Sequence, residues 1–252
     1  MYRNKKTIYA GRMICSVVYP VAVGWNPPQE RAGKIKATTA AMQRLNFKHS
    51  WEKLSALLAT NFSKGDDVIV LTYDDAHLPA EKNRKRVEND LKTFRRKVAE
   101  FWKGHGKTFR MAWSIEHRHG DGRWHVHAVV NRLGSNDWRF LTALWGRGDV
   151  HIKHLQENRD NNHISLARYM SKESEDRENS RHAWHYTKTC RQPTTEIERD
   201  VGDETLQAPK GAVILEADSH HNEYGTWQYI KYYIPEDAPP RTQKLVKSFI
   251  KF

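Results

Sequence analysis

Arg123-Trp-His-Val-His-Ala-Val-Val130 alternates as a β-strand does. Side chains on a strand have period two, so Trp124, Val126, Ala128 and Val130 share one face and His125 and His127 the other. The first face demands a core. The second sets two imidazoles side by side, close to the geometry in which two ligands bind a divalent metal. The preceding segment, Phe109-Arg-Met-Ala-Trp-Ser-Ile-Glu-His117, also alternates, with Met111, Trp113 and Ile115 against Ala112, Ser114 and Glu116. Gly120-Asp121-Gly122 between the runs is a hairpin signal. If the polar faces coincide, Glu116 comes up beside His125 or His127. Two imidazole nitrogens and one carboxylate, with other positions open, make a catalytic type of metal site, whereas structural zinc sites are usually closed by four ligands.

A second constellation lies downstream. Asn162-His-Ile-Ser-Leu-Ala-Arg-Tyr-Met-Ser-Lys-Glu173 reads as a helix, with Ile164, Ala167 and Met170 at helical spacing and Asn161 or Asn162 as N-cap. Tyr169 and Lys172 are three residues apart and share a face. A phenol is a poor nucleophile at its ordinary pKa of about 10. A neighbouring ammonium favours the phenolate and can also hold a phosphate oxygen. The plainer alternative is that Tyr169 packs the helix.

His125-Val126-His127 and Tyr169-Met-Ser-Lys172 together resemble the two marks of the HUH endonuclease superfamily, a His-hydrophobic-His strand and a later helix with Tyr-x-x-Lys. Among its branches the chain looks most like single-tyrosine rolling-circle replication initiators of bacterial plasmids and phages, the group that includes filamentous-phage-type nickases. Asp67-Val-Ile-Val-Leu-Thr-Tyr73 resembles the first core strand of that family. Leu144-Trp-Gly-Arg-Gly-Asp-Val-His-Ile152 resembles the link from metal strand to tyrosine helix, and Trp184-His-Tyr-Thr-Lys-Thr-Cys-Arg-Gln-Pro193 the closing element. The resemblance runs over about residues 35 to 195.

It implies an RRM-like palm in which His125, His127 and an acidic residue hold Mg²⁺ or Mn²⁺. Glu116 as third ligand rests on the face argument and on the family's usual placement. Tyr169 would attack phosphorus in single-stranded DNA at a linear or hairpin origin, with Lys172 as its helper. The products would be a 5′-phosphotyrosine link and a free 3′-hydroxyl that primes synthesis. A host helicase and polymerase are the implied partners, and the cytoplasm of a bacterial cell the implied place. Some initiators carry a second tyrosine three or four residues on, where this chain has Lys172 and Glu173. How a round ends is therefore open: a second subunit, a reused tyrosine, or a water activated by Glu173 or Glu175. A transposase or conjugative relaxase of the same chemistry is the nearest alternative; relaxases usually show a third histidine where Glu116 stands. A DNA-binding protein with a degenerate site and a phosphodiesterase using activated water are the others.

Composition agrees with a nucleic-acid enzyme. Lys and Arg number 42 against 30 Asp and Glu, a net charge of +12, with a pI near 9.6. A basic surface gains affinity for phosphate backbones by counterion release, though ribosomal and membrane-surface proteins share that balance. No apolar run has the length of a transmembrane helix. Met1-Tyr-Arg-Asn-Lys-Lys6 precedes only a short apolar run broken by Gly11, Arg12 and Ser16, which does not read as a signal peptide. Cys15 and Cys190 give no disulfide framework and suit a reducing cytosol.

The expected class is α+β, a central antiparallel β-sheet backed by helices, with N- and C-terminal extensions. Residues 1–65 read as a basic extension, with a strand-like run from Lys6 to Val23 ended by Trp25-Asn-Pro-Pro28 and a helix striped by Trp51, Leu54, Leu57 and Leu58. Residues 66–193 are the expected catalytic core. In it a strand from Val68 to Tyr73 precedes a helix from Ala80 to Lys103, striped by Val87, Leu91, Phe94, Val98 and Phe101. That helix's opposite face carries Lys85, Arg86, Lys92, Arg95, Arg96 and Lys97, for solvent or for DNA. The hairpin, a short helix from Asn136 to Trp145 and a strand near Val150 lead to the tyrosine helix.

Residues 194–252 read as a polar loop to Gln207, a hairpin of Ala212–Ala217 with Gly225–Ile234, and a basic tail from 241. His220 and His221, placed in the hairpin's connection, are a weak second metal candidate. Trp227, Tyr229, Tyr232 and Tyr233 either stack on bases or pack the strand. Gly104-His-Gly-Lys-Thr108 lacks both the leading glycine and the preceding strand of a phosphate loop. His125-Val-His-Ala-Val129 lacks the third alternating histidine of histidine-triad proteins. Without His-Glu-x-x-His or paired Cys-x-x-Cys, neither a zincin nor a zinc finger is expected.

Overall fold

Gly11, at φ +60°, turns the N-terminal strand-like run back on itself. The run is a hairpin of β1 (Tyr2–Ala10) and β2 (Met13–Val21) rather than one strand. After it come α1 (Ala40–Asn61), β3 (Asp67–Leu71), α2 (Arg84–Gly104), β4 (Met111–Glu116) and β5 (His125–Val130). The order continues with α3 (Asp137–Trp145), β6 (Val150–His154), α4 (Ile164–Met170) and β7 (His185–Tyr186). It closes with β8 (Thr194–Glu198), β9 (Val213–Asn222), β10 (Gly225–Tyr233) and α5 (Pro240–Gln243). The computed structural model describes residues 2–21, 40–117, 123–134, 137–156, 163–172, 183–223 and 225–246. Several expected features lie outside them, among them the end of the first run at Trp25-Asn-Pro-Pro28, the Gly120-Asp121-Gly122 turn, the Asn136 start of the short helix and the Asn161 or Asn162 cap.

The fold is α+β, with two antiparallel five-stranded sheets rather than one. The chain divides into two compact units. One holds Met1–Gln43, Asn158–Asn162 and Gln192–Phe252; the other holds Arg44–Glu157 and His163–Arg191. The strands of the first unit run in the order β8-β1-β2-β10-β9. Thr194–Glu198, expected as loop, pairs with β1, Thr7 opposite Glu196. Its three β-branched residues suit a pleat, and the ladder to β1 outweighs its polarity. β9 and β10 form the expected hairpin, but β9 extends to Asn222. One face of this sheet buries Ile14, Ile230 and Tyr232 with Ile234 and Ala238.

The second unit's sheet has the order β6-β3-β5-β4-β7. Ile69 and Leu71 of β3, Met111, Trp113 and Ile115 of β4, and Val126, Ala128 and Val130 of β5 face α2 and α3 in one cluster. From α2 that cluster takes Val87, Leu91, Phe94 and Val98 as the stripe predicts, but ends on Trp102, whose Nε1 donates to the Asn131 carbonyl. The helix starts at Arg84 because the Asn83 side chain accepts from Arg86 N and caps it. On its outer face Arg86 pairs with Asp90 and Arg96 with Glu100, while the Arg95 guanidinium lies 4.1 Å from the Trp113 ring centroid. Lys85, Lys92 and Lys97 are left exposed.

The sheet's other face is not all polar. Ala112, Val129 and Val68 lie under Leu54, Leu57, Leu58 and Phe62 of the α1 region and Ala167 and Met170 of α4. Burying each such leucine contributes about 2 kcal/mol. This stripe lies in the part of α1 from Arg44 on, which belongs to the second unit, although the sequence groups it with the basic extension. Both faces are therefore covered at one end, and every residue of β4 is buried. The α1 and α4 residues meet the Ala112–Val129–Val68 end of this face; His125, His127 and Glu116 stand at its other end.

The Trp145-Gly-Arg-Gly-Asp149 stretch fastens the opening end of β6 to β3. Trp145 Nε1 donates to the Thr72 carbonyl at 2.7 Å, and Thr72 N to the Asp149 carbonyl at 3.0 Å. Gly148, at φ +148°, lies so close that an added Cβ would stand 2.6 Å from Asp74 N and from the Thr72 carbonyl oxygen. Gly148→Ala is expected to cost at least about 2 kcal/mol, read as a lower urea midpoint. At Gly104, where an added Cβ meets nothing within 4 Å, alanine is expected to be neutral or slightly stabilising. Equal midpoints for the two variants would refute the close approach.

Candidate active site on the second sheet

In the β4–β5 ladder Glu116 stands opposite His125 and Ser114 opposite His127. Diagonal neighbours on one face of a sheet are within reach of long side chains. Glu116 uses that reach: its Oε2 lies 2.5 Å from His127 Nε2. α4 brings Tyr169 to the same point. Ala167 and Met170 are its buried side, and Tyr169, 38% exposed, stands clear of them. The Tyr169 hydroxyl is 3.3 Å from Glu116 Oε2, to which it donates, and 3.3 Å from His127 Nε2. The two rings meet edge-on with centroids 4.9 Å apart.

Lys172, just past the helix end, sets its ammonium 4.2 Å from the Tyr169 ring centroid. It lies over the ring, so its contact is with the π-face rather than with the oxygen. The phenol pKa is raised, first by burial and then by the Glu116 carboxylate. Tyr169 is thus a neutral donor in this arrangement. Burial pushes the His127 imidazole down, against the opposite pull of Glu116.

His125 lies on the same face, its ring centroid 6.4 Å from that of His127. Among the described residues no group of three or more His, Cys, Asp or Glu is arranged to hold a metal ion. What is assembled is a pair, Glu116 and His127, with His125 one row away. One carboxylate oxygen and two imidazole nitrogens are a mixed donor set of the chemical type that binds divalent cations. Glu173 and Glu175 lie outside the described residues. His220 and His221 are successive residues of β9, so they point to opposite faces and do not converge. His221 instead contacts Thr226 at 3.0 Å. Of the four aromatic residues of β10, Tyr232 and Tyr233 are buried, whereas Trp227 and Tyr229 lie parallel with centroids 5.9 Å apart.

One residue at the start of α4 carries no signal in the sequence beyond its place beside the expected cap. His163 precedes α4 with φ +46°, and its carbonyl accepts from Ala167 N. Its ring is buried, and Nε2 has no hydrogen-bond partner among the described residues. Histidine is one of the few non-glycine residues that enter this left-handed region with any frequency.

Residues 67–174 match a family model for replication-associated proteins, of the ORF2 and gene-2-protein type. Glu116, His125, His127, Tyr169 and Lys172 all fall inside that stretch, which is similar to replication-associated proteins over less than half of the chain. No curated protein and no solved structure gives a significant match. No helix among the described residues is long and apolar enough to cross a membrane.

Burial pushes His163 down from its ordinary 6.5 to about 4. The folded state therefore prefers the neutral ring. Its contribution to stability is complete above pH 6.5 and is lost progressively as the pH falls towards 4, up to about 3 kcal/mol. Urea midpoints of the wild type are expected to fall through that window. In His163→Asn, which tolerates the same backbone and cannot charge, this part of the fall is expected to vanish. Parallel pH profiles for the two proteins would exclude His163 as the source.

Proposed function

We propose that this chain is a divalent-metal-dependent, single-tyrosine DNA nickase and strand transferase of the HUH kind, initiating rolling-circle replication of a plasmid or phage. The observation that supports it best is the convergence of the Tyr169 hydroxyl on Glu116 and His127, within the stretch similar to replication-associated proteins. Its substrate is single-stranded DNA, free or in a hairpin origin, and its setting a bacterial cytoplasm with a host helicase and polymerase.

His125, His127 and Glu116 are the residues that would hold Mg²⁺ or Mn²⁺. When bound, such an ion polarises a phosphodiester and offsets the charge that builds during displacement. The protein's own part begins with position. The hydrogen bond to Glu116 Oε2 fixes the Tyr169 oxygen over the sheet face. That oxygen attacks phosphorus, the bond from phosphorus to the 3′ oxygen breaks, and a 5′-phosphotyrosine forms. The phenol proton leaves to water and the departing 3′ oxygen takes one up. Lys172, above the ring, offsets the negative charge of the phenolate and stands near enough to hold a phosphate oxygen. Since burial and Glu116 hold the phenol neutral in this arrangement, a cation held by Glu116 and His127 is what would reverse that bias.

A second reading, a DNA-binding protein with a degenerate site, draws on the raised phenol pKa and on a Lys172 ammonium that meets the ring rather than the oxygen. Single-stranded oligonucleotides from the element's own origin, run on denaturing gels with Mn²⁺ or EDTA, separate the two. The nickase gives a metal-dependent protein–DNA adduct. Tyr169→Phe is expected to abolish it, and His127→Ala to lower it by at least about 100-fold, the upper range for losing even an outer partner of a metal site. Cleavage that survives Tyr169→Phe but not His127→Ala would indicate attack by water. Tight binding without cleavage would leave the degenerate binder.

A further inference from the structure

The catalytic face does not stop at His127. In the ladders on either side of β3, Val70 stands opposite His127 of β5 and opposite His151 of β6. Residues paired across antiparallel strands point to the same face. Ser114, His127, Val70 and His151 therefore form one row crossing four strands on the side of Tyr169. The next row holds Ala112, Val129, Val68 and Lys153. Packing agrees with this assignment, because Val150 and Ile152 of β6 lie against the opposite cluster, with α2 and α3. His154 also points that way, to Asp67 at 2.9 Å. His151 and Lys153 are exposed, and neither has a hydrogen bond, an ion pair or a ring contact among the described residues. Adjacent strands are about 4.8 Å apart, which sets the His151 backbone roughly 10 Å from that of His127.

We propose that β6 extends the catalytic face into a track for single-stranded DNA, with Lys153 and His151 as positioning residues that hold backbone phosphates a few nucleotides from the scissile one. Half-exposed Val70 lies between the two imidazoles as a low floor on which a base can rest. The track runs towards Lys153. In the other direction stands exposed Asp149, whose charge repels phosphate. Among the described residues β6 is an edge strand, with no further strand beyond it. The proposal rests on the nickase reading only for which polymer crosses the face; binding itself requires no cleavage.

The test is fluorescence anisotropy with a labelled oligothymidine across a salt series, using the full chain. For single strands each phosphate contact contributes about 0.7 to the slope of log affinity against log salt. Lys153→Ala is expected to lower the slope by about that amount, Lys153→Arg to restore it, and His151→Ala to weaken binding several-fold. Lys92→Ala removes the same charge from exposed α2, which packs on the opposite cluster, and is expected to change neither quantity. A wild-type slope for Lys153→Ala, an equal loss for Lys92→Ala, or a wild type that does not bind the oligonucleotide would each overturn the track. Adduct yield on the gels described above is read separately. Adducts with no effect of Lys153→Ala reject the track and keep the nickase, whereas no adducts with a lowered salt slope keep the track and reject the nickase.

Discussion

Glu116 stands opposite His125 in the β4–β5 ladder, and a one-residue slip in that pairing would turn Glu116, Ser114 and Ala112 away from the imidazoles. The register is held by burial on both sides. Ile115, Val126 and Ala128 are packed on one face, and Ala112 and Val129 on the other. A slip of β4 would exchange its two sets and push Glu116 into an apolar core, at a cost of several kcal/mol for the carboxylate alone. The same two-sided packing thus defines the sheet and leaves the polar ends of two strands beyond its cover.

α4 depends on that packing more than on its own length. Seven residues are too few for an isolated helix in water, so Ala167 and Met170 in the core, and the His163 carbonyl at its start, are what keep Tyr169 in place. The buried His163 ring and its left-handed backbone are unfavourable taken singly. Strain of this kind persists where the surroundings over-determine it, and here it sits six residues from the tyrosine.

Periodicity made the faces of these strands and helices legible. The apolar faces of residues 111–115 and 124–130, the stripe of α2 and the shared side of Tyr169 and Lys172 all follow from spacing within short segments. What spacing cannot encode is partnership over long range. Thr194–Glu198 has a strand's residues but needs β1 to become one, and β1 lies almost a whole chain away. Phe101 fits the helical stripe, yet Trp102 is the fully buried residue because its indole finds the Asn131 carbonyl. Lys172 shares a face with Tyr169, but whether its ammonium meets the oxygen or the ring is a matter of rotamers. The isolation of His163 Nε2 depends on neighbours that no local pattern names.

The first unit is sewn together from both ends of the chain. β1 and β2 are made before the second unit, and a two-stranded hairpin alone is marginal in water. Its lasting neighbours, β8 on one side and β10 on the other, are separated from it by the whole span of the second unit. During synthesis that second unit can be complete once Arg191 has emerged, while the earliest strands still wait for theirs. The β1–β2 hairpin is therefore completed only after the second unit, and any product ending before Gly225 leaves the β2 edge without its β10 partner, open to pairing with another chain.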